Sequence, residues 1–156
     1  MSDENWMRAA LELAQLAADE GETPVGAVVV FEDAIIGSGL NRREQSGDAT
    51  SHAEVEAIAQ ACRAVGGWRL CDCDLYVTLE PCPMCAGAII NARIRRVVYG
   101  ASDPKAGSCG SIVDLFSLPY NHRPLCRGGV LADECGSILT QFFRKLRIER
   151  NTGKNG

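Results

Sequence analysis

The sequence predicts an α/β protein, a sheet with helices on both faces, and three observations carry that prediction. Short runs rich in valine and isoleucine alternate with alanine-rich segments of helical period. Glycine, proline or acidic turn residues stand between most of them, so the connections are short. The chain has 156 residues, 46% hydrophobic and 23% charged, enough to close one buried core. Residues 1–156 therefore read as a single domain, with about 149–156 expected as a flexible tail.

Each element has its own signal. Met7, Ala10, Leu11, Ala14 and Ala18 share one face of a helix over residues 4–20, which Gly21 stops. Residues 25–31 and 35–40, split by Glu32-Asp33, read as the two strands of a hairpin. Residues 53–65 are alanine-rich and helical, ending before Gly66-Gly67. A short strand at 75–79 precedes a helix at 82–92, and a further strand follows at 97–99. A glycine-rich loop at 101–111 leads to a short helix near 112–116. Residues 126–130 suggest a fifth strand before a last helix from about 131 to 148. On that helix Leu131, Cys135, Ile138, Leu139, Phe142 and Leu146 form one apolar stripe, the face expected to pack on the sheet.

Several classes are disfavoured at once. No apolar run approaches the ~18 residues of a membrane span. The opening Asp3 and Glu4 do not resemble the basic start of a signal peptide. Eight cysteines without such a peptide are expected to be mostly reduced thiols in a cytosol-like compartment. The net charge of -4 does not suit a general nucleic-acid binder. Its distribution qualifies that: residues 142–156 hold five basic side chains against Glu149 alone, a local +4 on a body of -8. A basic end can hold a phosphate chain locally, although a solvated helix face explains the same charges.

The chemistry lies in two motifs. His52-Ala53-Glu54 is followed by Pro81-Cys82-Pro83-Met84-Cys85. One imidazole and two thiols make three zinc ligands, whereas a structural site closes with four, so a position is left for water. Cys82 and Cys85 are spaced to face the same way on a first helical turn, and Pro81 suits a helix start. A helix N-terminus favours the thiolates a metal needs. Glu54, two residues from His52, points to a different side and is placed to shuttle a proton. A histidine, two cysteines and a non-ligand glutamate form the pattern of zinc-dependent nucleobase deaminases. The competing structural reading takes Cys71-x-Cys73 with Cys82 and Cys85 as a closed four-cysteine site, which leaves His52 and Glu54 without work. Asn41 follows a strand end and offers both donor and acceptor to a base edge, although an Asn before two arginines is also a common turn residue.

With these motifs go Pro24-Val25-Gly26-Ala27-Val28-Val29-Val30, Val97-Val98-Tyr99-Gly100-Ala101, Gly110-Ser111, Asn121-His122-Arg123, Gly129-Val130-Leu131 and Phe142-Phe143-Arg144. Together they resemble the bacterial tRNA-specific adenosine deaminases of the cytidine deaminase-like superfamily, over nearly the whole chain. The resemblance implies a three-layer α/β/α fold around a central mixed five-stranded sheet. It implies hydrolysis of the wobble adenosine to inosine in the ACG anticodon of arginine tRNA, with the tRNA anticodon stem-loop as partner. It also implies a cytoplasmic homodimer in which both subunits border each active site, with one zinc per subunit. By the same resemblance His52, Cys82 and Cys85 bind zinc, Glu54 shuttles protons and Asn41 hydrogen-bonds the base, while the backbone of Ala53, Leu79 and Glu80 lines the pocket.

Four further residues are candidates for RNA contact. Asp103 and Lys105 lie in the glycine-rich loop, where a ribose hydroxyl and a phosphate are the expected partners. Phe143 borders the apolar stripe of the last helix, with Arg147 and Arg150 on its side, and an aromatic beside cations suits an unpaired loop of RNA. His122 reads more simply as a hydrogen-bonded surface histidine, and Cys109 falls in the substrate loop, where an exposed thiol would be oxidation-prone. The rival readings are a free-base deaminase acting on guanine or cytosine, and a zinc scaffold without turnover. The loop and the basic helix speak against the first, Glu54 against the second.

Overall fold

A computed structural model describes residues 1–154 and shows five strands in the order β2-β1-β3-β4-β5. The strands are β1 (Gly26–Phe31), β2 (Ala34–Leu40), β3 (Asp74–Leu79), β4 (Arg96–Ala101) and β5 (Leu125–Arg127). The β1/β2 and β1/β3 pairs are antiparallel, and β3/β4 and β4/β5 are parallel, so the sheet is mixed. The helices are α1 (Asp3–Asp19), α2 (Arg43–Ser46), α3 (Ala53–Val65), α4 (Pro83–Asn91) and α5 (Ala132–Lys154), with a 3-10 turn at Leu115–Ser117.

The three layers follow from strand alternation. Ala27, Val29, Leu75, Val77 and Val97 point to one face and bury against α3 and α4 through Ala57, Ala61, Ala86 and Ile89. Val28, Val30, Tyr76 and Val98 point to the other and meet Trp6, Met7 and Ala10 of α1 and Cys135 of α5. Glu32 and Asp33 both take positive φ, 48° and 61°, the twist that lets a two-residue turn close the β1/β2 hairpin. On α1 the buried set is Trp6, Met7, Ala10, Ala14 and Ala17, so the packed face is rotated from the expected one, with Leu11 and Ala18 only half-buried.

Three boundaries differ from expectation. Pro83, rather than Pro81, occupies the first helical position of α4, and Cys82 is its N-cap. The fifth strand is only three residues long, and all three residues are exposed. The last helix continues to Lys154, beyond 148 and into the expected tail, because residues 142–151 contain no helix breaker. Residues 155–156 lie outside the described chain.

One close approach sets up the site. A Cβ on Gly39 would lie 2.3 Å from the Ala53 carbonyl oxygen, and one on Gly37 2.2 Å from that of Ala57. Only glycine lets α3 lie this close to β2, which fixes the start of α3, where His52 and Glu54 stand.

Candidate metal centre and pocket

One edge of the sheet carries the candidate metal ligands and Glu54. β2, β3 and β4 end there, and β1 begins there; in open α/β sheets this carboxyl edge is where ligands bind. His52 is the N-cap of α3 and Cys82 the N-cap of α4, and neither side chain makes a capping hydrogen bond. Both are therefore free to turn outward, and Cys85 joins them from the first turn of α4.

His52 Nδ1 lies 3.6 Å from Cys82 Sγ and 3.5 Å from Cys85 Sγ. All three donor atoms fall within 4.8 Å of one another, the one such group of three among the described residues. Zinc–sulfur and zinc–nitrogen bonds of about 2.3 and 2.0–2.1 Å at a tetrahedral angle separate N and S by about 3.6 Å, so the donor set fits zinc. Cys71 is exposed and Cys73 is buried in the core, and neither joins this group, which removes the four-cysteine reading. Hydrogen bonding from Cys85 and then from His52 draws the Cys82 thiol down to about 4, against the opposing effect of burial. The bond to Cys82 is likewise the main influence holding the His52 imidazole above its usual range. Cys85, hydrogen-bonded to Cys82 and buried, is held well above the ordinary thiol.

Glu54 is 4% exposed. Burial, reinforced by the Cys82 charge, pushes its carboxyl up to about 7. It stands on the wall of a pocket of about 190 Å³ lined by Thr23, Val25, Asn41, Arg43, His52, Ala53, Leu79, Glu80, Cys82, Asp103 and Ala106. Asn41 is buried beside it: its Nδ2 donates to the Thr23 carbonyl at 3.2 Å, and its Oδ1 accepts from the Arg43 N–H at 3.2 Å. Asn41 makes a turn bond to Arg43 and also stands on the pocket wall. One N–H and one lone pair of the amide are left over.

The loop that carries Asp103 is tied down from below. Asp103 Oδ1 accepts from the Lys105 and Ala106 N–H groups, and the Asp103 N–H donates to Glu80. Burial raises the Glu80 carboxyl, but hydrogen bonds from Ser111, Asp103 and Cys109 outweigh it and leave the group below its ordinary value.

The structure does not bring every candidate to the pocket. Lys105 is exposed and not among the lining residues. Phe143 is 45% exposed, stacked edge-on against Phe142 with ring centroids 5.4 Å apart, and Arg147 is exposed on the same helix, also outside the pocket. His122 Nε2 donates to the Ile94 carbonyl at 2.7 Å, the simpler of its two readings. Cys109 is buried rather than exposed, because its loop folds inward over Glu80. Thr23, Val25, Arg43 and Ala106 were not anticipated. Each reaches the pocket through strand register or loop folding, which no local motif encodes.

The profile of the MafB19-like deaminase family matches residues 1–147. A tRNA-specific adenosine deaminase of Bacillus subtilis (strain 168) is 44% identical over 153 residues, 97% of this chain and 95% of that one. A solved structure from a study of A-to-I editing by tRNA:A34 deaminases at the wobble position superposes with a TM-score of 0.84 at 46% identity, over 86% of this chain and 99% of that one. A guanine deaminase from Bacillus subtilis superposes with a TM-score of 0.65 at 43% identity, over 75% of this chain and 74% of that one.

Proposed function

The chain belongs to the MafB19-like deaminase family, among the tRNA-specific adenosine deaminases, and from that premise we propose that it hydrolyses the wobble adenosine of an ACG-anticodon arginine tRNA to inosine. The observation that carries the proposal is a zinc-compatible donor set opening on a pocket beside a buried glutamate. A zinc ion held by His52, Cys82 and Cys85 would supply the Lewis acid that acidifies water at the pocket floor. Glu54, held near neutrality by burial, takes a proton from water and gives it to the purine ring nitrogen beside the attacked carbon. A second transfer through the same carboxylate goes to the amino group, so ammonia departs as water is added. Asn41 uses its spare N–H and lone pair on the base edge, with the backbone of Ala53, Leu79 and Glu80 shaping the remaining walls.

The RNA itself meets the rim. Asp103 and Lys105 on the loop face ribose and phosphate, while Phe143 and Arg147 on α5 stack and neutralise the strand beyond the pocket. Ile112, Val113, Leu118, Tyr120 and Leu125 are exposed apolar residues between the loop and β5, and they support assembly as a homodimer with both subunits bordering each site. No described helix is long and apolar enough to cross a membrane. A substrate that serves translation would place the enzyme in the cytoplasm.

The likeness to a guanine deaminase favours one second reading, a free-base deaminase using the same centre. Incubating the zinc-loaded protein with an ACG anticodon stem-loop, and separately with guanine and cytosine, distinguishes them. Inosine at the wobble position supports the first reading, and ammonia from a free base alone supports the second.

A further inference from the structure

Two buried carboxylates beside the pocket have no part in that chemistry. Glu80 is 2% exposed and Glu22 1%. Glu80 Oε1 accepts from the Asp103 N–H at 3.1 Å and from the Ser111 hydroxyl, and its Oε2 accepts from the Cys109 N–H at 3.0 Å and the Ser111 N–H at 3.1 Å. Those four bonds use the four acceptor positions of a carboxylate, so nothing remains for a substrate. On the other side, Glu22 Oε1 accepts from the Glu44 N–H at 3.0 Å and Oε2 from the Gln45 N–H at 2.7 Å, which pins α2 next to Asn41 and Arg43.

The two anchors serve opposite walls. Glu80 holds the segment that presents Asp103 and Ala106, and Glu22 holds the segment that presents Asn41 and Arg43. The fit around Glu80 is tight, because a Cβ on Gly107 would lie 2.4 Å from its Cδ and 2.5 Å from its Oε1. A bare carboxylate beneath a site for a polyanion would repel it. In these two the oxygens are turned to backbone N–H groups of the protein, which stabilise the buried charge where it stands.

We propose that Glu80 and Glu22 are positioning residues, each holding one wall of the pocket in its substrate-ready shape through backbone N–H groups. The proposal rests on the deaminase reading above and assigns these side chains no contact with the reacting atoms. Loss of an anchor leaves a wall to be ordered when the substrate binds, so the cost falls on ground-state binding. A glutamine cannot replace either, because its amide turns a donor toward N–H groups that need an acceptor.

The test compares E80Q, E22Q, G107A and the E80Q/G107A double variant with the parent by hydrogen exchange, zinc content and steady-state kinetics on the ACG stem-loop. E80Q should accelerate exchange in residues 103–111 only, and E22Q in residues 41–47 only, with one zinc per chain in each. KM should rise about tenfold with kcat within about threefold, the signature of lost uniform binding. G107A should reproduce E80Q, and the double variant should cost less than the sum of the two. Should E80Q fail to fold, S111A removes one of the four bonds, that from the Ser111 hydroxyl, and leaves the three backbone N–H bonds, so a smaller shift in the same direction is expected. Local loosening with KM unchanged, or a fall in kcat with KM unchanged, would overturn the proposal. If the parent does not deaminate the stem-loop, the substrate reading has failed, and the same KM-against-kcat split is read on guanine while the exchange data still report on the anchors.

Discussion

Glu54 is two residues from a metal-ligand candidate, is buried, and makes no ion pair among the described residues. Its proposed work is proton transfer, so Glu54→Ala should lower turnover on the stem-loop by about 10²–10⁴-fold. Zinc content measured by elemental analysis should stay at one per chain, since the carboxylate is not a ligand. Wild-type turnover in E54A would remove the shuttle. The grouping of His52, Cys82 and Cys85, with Glu54 beside them, was legible in the sequence because short spacings at helix starts encode it. The anchor role of Glu80 was not: its hydrogen-bond partners lie 23 to 31 residues downstream and meet it only after the loop has folded. The resemblance drew attention to the backbone of Glu80 and Ala53, which line the pocket, and not to the Glu80 side chain.

At the scale of elements, two predictions follow from how helices are fastened to the sheet. Gly39→Ala places a Cβ 2.3 Å from the Ala53 carbonyl and should push α3 off β2. Overpacking of this kind costs about 1–3 kcal/mol, to be read as a lower urea midpoint, and the displaced α3 start should weaken zinc retention as well. An unchanged midpoint would show that the contact relaxes without cost. The start of α1 is fastened by Asp3, which accepts from Tyr76 Oη at 2.8 Å, Arg96 Nη1 at 3.1 Å and Arg127 Nη1 at 2.7 Å. The Arg96 bond, opposed by burial and aided by Tyr76 and Arg127, holds the Asp3 carboxyl at about 2 against an ordinary 3.8. A depressed carboxyl contributes stability that is complete above the ordinary value and lost as pH falls through the folded one. The advantage of wild type over D3N should therefore be about 1–2 kcal/mol near neutral pH and vanish between about pH 4 and 2 in urea titrations. A difference that persists at pH 2 would contradict the assignment. The helices and strands around these ties were readable from period and glycine placement. The rotation of α1, the shortness of β5 and the reach of α5 were not, because partners across the sheet decide them.

For the molecule as a whole, charge is the deciding quantity. An acidic body with a basic final segment should bind RNA through a few phosphates only. Affinity for the stem-loop should fall with salt at a logarithmic slope of about -2 to -4, and Arg147→Ala should make it shallower by about 0.7–0.9. A slope near zero, measured by titration at several salt concentrations, would take the electrostatic role away from α5. The layer order agrees with the reading of alternating strands and helices, and the mixed five-stranded sheet with the resemblance, whereas the pocket lining depended on which strand ends share an edge. The most direct measurement is sequencing of a total tRNA pool after incubation with the zinc-loaded protein and, in parallel, with E54A. The account predicts adenosine read as guanosine at the wobble position of ACG-anticodon arginine tRNA with the wild-type protein alone. An unaltered pool from a preparation that releases ammonia from guanine would contradict it.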